Sequence, residues 1–249
     1  MRIRINFFNG WKVQNFFSIW DDIQNVFEFE GEIENNRLVK GEIFKNETTK
    51  VYSGTFTEDG FYKKGRFFYD VKHLDKYKTK DYFDGYFQDN SCLPKFGILY
   101  YEYNNTFFGE FYENGEPYKG LRKYSNHSKY DTFDGIFSVD GNPLEGILLY
   151  RDGSVFHGTL VENYKRIIYD KGCLHMRNHC EFKYMEGQFV NNEMFHGEIV
   201  NTLGFHQKIE KGCAVGHYFD SDLYLDKNQS EMMNNFYKNQ RYYCTNKFN

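Results

Sequence analysis

Two cysteines and two histidines lie close together in the order Cys173-x-His175-x-x-x-His179-Cys180. Thiolates and imidazoles are the usual protein ligands of zinc, and four of them can hold the ion tetrahedrally. The spacing differs from the paired Cys-x-x-Cys pattern that is typical of zinc sites. A polar loop inserted into a larger structure, over residues 171–181, explains the same residues. We keep the four as candidate metal ligands and expect neither a metal nor a cofactor.

A second candidate site is a basic stretch within residues 70–81, which we expect to be another inserted loop. Lysines alternate there with aspartates. Such a stretch can contact anionic lipid headgroups or an acidic protein, and a solvated surface loop is the simpler interpretation. The candidate binding residues are Lys72, Lys76, Lys78 and Lys80.

Paired carboxylates can perform general acid–base hydrolysis when one of them is desolvated. The glutamates at 28, 30, 32 and 34 alternate with apolar residues, so they form a row on the wet side of one strand. The chain also lacks the phosphate-binding, zinc-protease, nucleophile-elbow and dinucleotide-binding motifs. We therefore expect no catalytic residues and no enzymatic activity.

The elements that carry these residues follow from one recurring pattern, in which an apolar residue, usually aromatic, precedes and follows a glycine by two positions. Successive copies of this glycine are 23 to 31 residues apart. A fixed internal period of this kind predicts a repeat architecture. The repeat glycines are Gly31, Gly54, Gly85, Gly109, Gly135, Gly158 and Gly187.

Each copy of the pattern predicts a β-strand, because residues two positions apart lie on one face of a strand. A second glycine about 11 residues later opens a second strand in most units, so each unit reads as a hairpin. Rings on either side of a glycine can cover the gap that it leaves. Pro94, Pro117 and Pro143 follow the first glycine at nearly equal distances, so we expect them in one equivalent loop outside the strand pairing.

The face opposite the glycines should be polar, and three apolar residues interrupt it. They are Tyr86, Phe108 and Ile136. Exposed apolar residues either support a second packing layer or bind a partner. Both interpretations stay open at this point, and the three residues are candidates for a binding surface.

The pattern divides the chain into three regions. Apolar residues alternate on both sides of Asn9-Gly10, a strong hairpin signal, so residues 1–26 are expected to form a degenerate hairpin that caps the array. Residues 27–203 contain about seven repeat units. Residues 204–249 are expected to hold an irregular last unit and a short C-terminal capping helix. Ser230 is the expected N-cap of this helix, and its apolar stripe runs from Met232 to Tyr237.

Composition limits the class of protein. A formal net charge of −4 and a pI near 6.1 disfavour a nucleic-acid partner. The N-terminus lacks the apolar core of a signal peptide, and no run approaches the roughly 18 apolar residues of a membrane span. Five irregularly placed cysteines fit a reducing compartment. We expect a cytoplasmic protein.

The two glycine positions and the near-23-residue period resemble MORN repeats. The clearest match is Arg151-Asp152-Gly153-Ser154-Val155-Phe156-His157-Gly158, which includes the acidic-Gly turn of that family, and the resemblance covers roughly residues 27–203. Two intervals, of 29 and 31 residues, exceed the family's usual length. The resemblance implies an elongated, twisted, single antiparallel sheet and a scaffolding role, often peripheral to a membrane or cytoskeletal structure.

Three function classes remain open from the sequence. The leading one is a non-enzymatic scaffold that binds protein partners, with anionic lipid headgroups and a homodimer as further options. The second is an accessory subunit that neutralises another protein, as some MORN-like proteins do. The third is a carbohydrate-binding array, for which only Trp11 and Trp20 could stack on sugar rings.

Overall fold

The computed structural model describes residues 2–7, 10–13, 26–69, 80–163, 166–177 and 182–219. These residues form β-strands joined by short turns, with one 3-10 turn at Glu102–Asn104. The strands in the first part are β1 (Ile3–Phe7), β2 (Trp11–Val13), β3 (Phe27–Glu34), β4 (Arg37–Lys45), β5 (Thr49–Phe56), β6 (Tyr62–Phe68), β7 (Lys80–Phe87), β8 (Pro94–Tyr101), β9 (Thr106–Phe111) and β10 (Pro117–Lys123). The later strands are β11 (Tyr130–Phe137), β12 (Pro143–Tyr150), β13 (Val155–Asn163), β14 (Arg166–His175), β15 (Phe182–Val190), β16 (Glu193–Asn201), β17 (Phe205–Glu210) and β18 (Cys213–Phe219).

The chain divides into two compact units. Unit 1 comprises Met1–Asn126 and Phe137–Gly141, and unit 2 comprises His127–Ile136 and Asn142–Asn249. Within each unit, strands that follow one another along the repeat pair antiparallel, from β3 to β10 in unit 1 and from β12 to β18 in unit 2. The expected all-β array of antiparallel hairpins is therefore confirmed. The elongated shape stays a prediction.

The glycines of the repeat lie directly opposite one another across neighbouring strands. In unit 1 the facing pairs run without a break from Gly31–Gly41 on β3 and β4 to Gly109–Gly120 on β9 and β10. In unit 2 they run from Gly146–Gly158 to Gly187–Gly197. The repeat thus produces a continuous row of glycines that crosses the strands of each unit.

An aromatic ring fills the space over each glycine pair in most hairpins. A Cβ atom built on Gly31 would lie 2.7 Å from Cζ of Phe29, and one built on Gly41 would lie 2.6 Å from the same atom. Phe83 has the same relation to Gly85 and Gly97, at 2.7 and 2.9 Å. These distances are too short for real side chains, so the ring occupies the volume that two side chains would otherwise take. The expectation that rings cover the strand glycines is confirmed.

The same rings form the core of unit 1. The rings that precede Gly54, Gly85 and Gly109 pack edge to face against the ring that follows the glycine, both on their own strand and in the next unit. Phe29 makes the contact with the next unit, since Ile33 and not a ring follows Gly31 on its strand. All of these rings are buried. Edge-to-face pairs contribute about 0.5–1.5 kcal/mol beyond their burial. The contacts, by centroid distance, are Phe29–Phe56 5.7 Å, Tyr52–Phe56 5.2 Å, Tyr52–Phe87 5.6 Å, Phe83–Phe87 5.1 Å, Phe83–Phe111 5.2 Å, Phe107–Phe111 5.2 Å and Phe107–Phe137 5.1 Å.

Unit 2 repeats this packing in a shorter form. Phe156 stacks on Tyr169 at 4.1 Å, and both rings contact Phe189, at 6.0 and 5.4 Å. All three side chains are buried. The tightest turns use asparagine, because two-residue hairpin turns of type I′ need positive φ at both central positions. Asn191 and Asn192, with φ of 52° and 67°, provide such a turn between β15 and β16.

The prolines occupy equivalent positions, as expected, but the expected loop is wrong. Pro94, Pro117 and Pro143 are the first residues of β8, β10 and β12. Pro94 pairs with Phe87 and Pro117 with Phe111, each beside a register shift. Proline lacks an N–H donor, and the start of a strand at a bulge is a place where the ladder does not need one.

Both stretches that were expected to be inserted loops are strand in part. Strand β14 extends to His175, so the first residues of the supposed loop at 171–181 are strand. Gly172 on β14 lies opposite both Gly158 and Gly187 and is the second glycine of the sixth unit. It follows Gly158 by 14 positions rather than about 11, because β13 and β14 are longer and carry a bulge after Thr159. In the other stretch, Lys80 is the first residue of β7, and residues 70–79 lie outside the described residues.

The two ends of the described chain are also hairpins. Strand β1 pairs antiparallel with β2 and, on its other side, with β3, where Ile3 lies opposite Phe29. Residues 205–219 form the hairpin β17–β18, whose register shifts between Lys208 and Ile209. The predicted C-terminal capping helix lies outside the described residues. Among the described residues, the structure has no helix of the length and apolarity that crossing a membrane requires.

Candidate interaction surface

The face of unit 1 opposite the aromatic core carries a cluster of apolar side chains on β7–β10. We call the five residues Tyr86, Phe96, Ile98, Phe108 and Leu121 the outer patch. Each is the immediate neighbour of a repeat glycine, so strand alternation directs them all away from the core. Four of them are 41–49% exposed, and Ile98 is half-buried.

Strand register makes the outer patch contiguous. Tyr86 lies opposite Phe96, and Phe108 lies between Ile98 and Leu121 on its two neighbouring strands. Residues directly opposite on one face have Cβ atoms about 4.5–5.5 Å apart. The rings of Phe96 and Phe108 meet edge to face at 5.4 Å. The patch is one surface rather than scattered apolar residues.

Tyrosines extend the outer patch along the strands. Tyr82 on β7 lies opposite Tyr100 on β8, and their rings stack at 4.2 Å. The guanidinium of Arg66 lies 4.6 Å from the centre of the Tyr82 ring. Burial, followed in effect by the neighbouring Tyr100, raises the pKa of Tyr82, so this phenol stays neutral at physiological pH.

The charged residues around the outer patch are mainly basic. Arg66 forms an ion pair with Asp84 at 2.7 Å. Lys64 lies opposite Tyr86, with its ammonium 4.9 Å from the ring centre. At the other side, Lys119 lies opposite Glu110. With Lys123 opposite Thr106, the border contains four cations and two carboxylates: Lys64, Arg66, Lys119, Lys123, Asp84 and Glu110.

The corresponding row of unit 2 is mainly polar. The row that holds Ile98, Phe108 and Leu121 in unit 1 contains one exposed apolar residue in unit 2, Ile147 at 47% exposure. Its other described members are His157, Cys173, Glu186, Glu198 and Lys208. There the Nδ1 atom of His206 lies 3.0 Å from a carboxylate oxygen of Glu198. The apolar patch is therefore a property of particular strands, and the repeat itself does not require it.

The structure brings together two of the three surface candidates that the sequence singles out. Tyr86 and Phe108 are both in the outer patch. Ile136 lies on β11 in unit 2 and is half-buried. Lys80 is in β7, where its ammonium forms an ion pair with Glu116 at 2.7 Å and its side chain is 16% exposed. The lysines at 72, 76 and 78 lie outside the described residues.

Sequence reasoning missed Phe96, Ile98 and Leu121. They flank the second glycine of a hairpin, in Phe96-Gly97-Ile98 and Gly120-Leu121, at positions where polar residues were expected. An apolar residue next to the second glycine of a hairpin is the signal that could have revealed them.

The candidate metal ligands are only partly within the described chain. Cys173 and His175 lie on β14, with Sγ and Nε2 3.4 Å apart, whereas His179 and Cys180 fall outside the described residues. Burial and, to a lesser degree, Glu186 raise the pKa of the Cys173 thiol, which disfavours the metal-binding thiolate. Within the described ranges, no three His, Cys, Asp or Glu side chains are grouped to hold a metal ion.

One of the two tryptophans is unavailable for sugar stacking. Trp11 is buried, and its ring packs against Phe27 at 4.9 Å and Tyr62 at 6.4 Å. Trp20 lies outside the described residues.

No protein-family model matches the chain, and a search among curated proteins finds no similar sequence.

Proposed function

We propose that the protein is a non-enzymatic interaction module, a scaffold built from MORN-like repeats, and that its outer patch binds another protein. The observation that carries this proposal is the contiguous apolar surface on β7–β10. The glycine row and the aromatic core account for the residues of the repeat, and the outer patch is not needed by either. Exposed apolar surfaces that the fold does not need are typical of binding sites.

The size of the patch suggests what the partner must add. Full burial of a large apolar side chain contributes about 1.5–3 kcal/mol. Four side chains that are nearly half exposed can therefore contribute about 3–5 kcal/mol on binding. Because association costs about 4–15 kcal/mol, the apolar contact alone is insufficient. The partner must also use the charged border or a wider surface.

The MORN resemblance extends the proposal. It supports a cytoplasmic role at the periphery of a membrane or cytoskeletal structure. It also supports binding of anionic headgroups by the lysine-rich stretch around residues 72–80. These extensions rest on the resemblance and on the charge pattern of the sequence.

Quantitative affinity capture tests the proposal. We compare the wild-type chain with the double variant Phe96→Thr/Phe108→Thr, which keeps a strand-forming side chain at both positions. The matched control is Val161→Thr/Val190→Thr, which changes two side chains of similar exposure (53% and 51%) in unit 2. We expect a defined protein to be captured by the wild type and the control and to be depleted at least tenfold with the patch variant. Equal recovery by all three chains would refute the proposal.

A further inference from the structure

Three of the four strands of the outer patch are paired on both sides. β7 pairs with β6 and β8, β8 with β7 and β9, and β9 with β8 and β10. A partner therefore cannot bind here by adding a strand, because the backbone donors and acceptors are already used. It must offer side chains, as the apolar stripe of a helix does.

The dimensions of the outer patch suit a short helix. Four neighbouring strands about 4.8 Å apart span roughly 15 Å between the outer axes, and the side chains extend this width. A helix rises about 1.5 Å per residue, so three to four turns lie across these strands. The patch has two rows about 7 Å apart along the strands, one with Tyr86 and Phe96 and the other with Ile98, Phe108 and Leu121. The apolar stripe of an amphipathic helix covers a surface of this width.

The border charges define the polar residues of that helix. Lys64 is at one end of the patch, and Lys119 and Lys123 are at the other. Lys64 lies over the ring of Tyr86, and Lys119 lies opposite Glu110. Because Asp84 is already paired with Arg66 at 2.7 Å, the three lysines outnumber the remaining border carboxylate, Glu110. Acidic residues beside the apolar stripe would complement them and would also favour fast association.

A second copy of the same surface fits poorly. In a two-fold dimer each face meets itself, so residue positions are exchanged about the symmetry axis. If the axis runs along β8, Lys119 faces Lys64 of the other copy. If the axis crosses the strands through Leu121, Lys119 faces Lys123 of the other copy. Both of these arrangements place like charges together beside an apolar contact, which disfavours them.

We propose that the outer patch binds an amphipathic helix of a partner protein, three to four turns long, whose apolar stripe is flanked by aspartate or glutamate. This inference rests on the proposed function, because it names the class of segment that the interaction surface recognises. Phe96 and Phe108 contact the apolar stripe, and Lys64, Lys119 and Lys123 contact its acidic flanks.

Two synthetic peptides test this inference by fluorescence anisotropy with the full chain. Both are helices of about 16 residues, stapled so that they are already folded, with leucine at i, i+3, i+4 and i+7. One carries glutamate at the flanking positions and the other carries lysine. We expect the Glu peptide to bind at micromolar concentration and the Lys peptide to bind at least tenfold more weakly. Phe96→Thr/Phe108→Thr should weaken the Glu peptide at least tenfold, Lys119→Glu should weaken it severalfold, and Val161→Thr/Val190→Thr should leave it unchanged.

Several results would overturn the inference. These are equal binding of the two peptides, absence of binding by the Glu peptide, or binding that the patch variant does not change. Tighter binding of a labelled dT12 oligonucleotide than of the Glu peptide, lost in the patch variant, would assign the surface to single-stranded nucleic acid. Sedimentation of a dimer that Phe96→Thr/Phe108→Thr dissociates would assign it to a second copy. Binding of the Glu peptide only after deletion of residues 220–249 would assign it to the chain's own segment.

The two experiments separate the inference from the proposed function. If affinity capture depends on the outer patch but the Glu peptide fails to bind, the module function stands and the acidic helix is wrong. If the Glu peptide binds at the patch but capture is unaffected by Phe96→Thr/Phe108→Thr, the patch can bind a helix and the proposed cellular function is wrong.

Discussion

Replacing Phe83 with alanine should destabilise unit 1 more than any change on its outer face. Phe83 is fully buried, and its Cζ atom covers the facing glycines Gly85 and Gly97. Its ring also packs edge to face against Phe87 at 5.1 Å and Phe111 at 5.2 Å. The substitution removes a ring from the middle of a continuous row and leaves two glycines without cover.

The expected loss follows from these contacts. Removing the buried ring forfeits about 1.5–3 kcal/mol of burial. Two edge-to-face pairs add about 0.5–1.5 kcal/mol each. The total agrees with the cost of truncating a buried Phe to Ala, which is about 3–5 kcal/mol. The free energy of unfolding falls by about 1–3 kcal/mol per molar urea, so this loss corresponds to a shift of about 2 M in the unfolding midpoint.

Tryptophan fluorescence during urea unfolding measures this loss in unit 1 alone. Trp11 is buried in unit 1, and the sequence assigned to unit 2 contains no tryptophan. Excitation at a wavelength that only tryptophan absorbs therefore follows this unit without a contribution from unit 2.

The matched control for Phe83→Ala is Phe108→Ala on the outer face of β9, where the ring is 49% exposed. About half of this side chain is buried, so we expect the free energy of unfolding to fall by about 1 kcal/mol and the urea midpoint by about 0.5 M. If Phe83→Ala shifts the midpoint no more than Phe108→Ala, the ring is not part of the core and the account of glycine cover is wrong.

Three further predictions concern the glycine row, the buried phenols and the candidate thiol. Gly97→Ala should destabilise unit 1 by at least about 2 kcal/mol in the same urea assay, because its Cβ would lie 2.4 Å from the carbonyl oxygen of Asp84; an unchanged midpoint would contradict this steric account. Burial raises the pKa of Tyr101 to about 12, so the unfolded chain releases this proton from about pH 10 while the folded chain keeps it. Stability should therefore fall by up to about 1.4 kcal/mol per pH unit between pH 10 and 12, and Tyr101→Phe should reduce that slope in alkaline unfolding; an identical slope in the variant would be inconsistent with a buried phenol. The raised pKa of Cys173 predicts alkylation by iodoacetamide at pH 7.5 more slowly than for a free cysteine in a peptide, measured by mass spectrometry after digestion, whereas faster labelling would indicate an activated thiolate.

The fold was largely predictable because its main determinant is local and repeated. Each strand glycine with its flanking rings specifies a strand, a buried face and a register at once. Gly172 shows the limit of this reasoning. A hairpin can lengthen both strands and absorb the change in a bulge, so the second glycine moves along the sequence while it keeps its partners Gly158 and Gly187.

The prolines show a second limit. Equal spacing predicted that Pro94, Pro117 and Pro143 are equivalent, and the structure bears this out. Spacing could not say whether a residue without an N–H lies in a loop or begins a strand, because a bulge meets the same requirement.

The candidate interaction surface was less predictable than the fold. Tyr86 and Phe108 stand out in the sequence because each interrupts a polar face. Their neighbours Phe96, Ile98 and Leu121 come from other strands, and pairing register is needed to bring them together. Sequence distance conceals this, since Tyr86 and Leu121 are 35 positions apart.

Site-specific photocrosslinking tests the role of the outer patch most directly. Benzoylphenylalanine replaces Phe108 in the outer patch or, as a control, Val190 on unit 2, and the chain is irradiated in its native cell extract. The proposed interaction module should give one defined protein crosslink from position 108, lost on addition of Phe96→Thr, and no such product from position 190. Absence of a protein crosslink at 108, or the same products from both positions, would contradict the assignment of this surface.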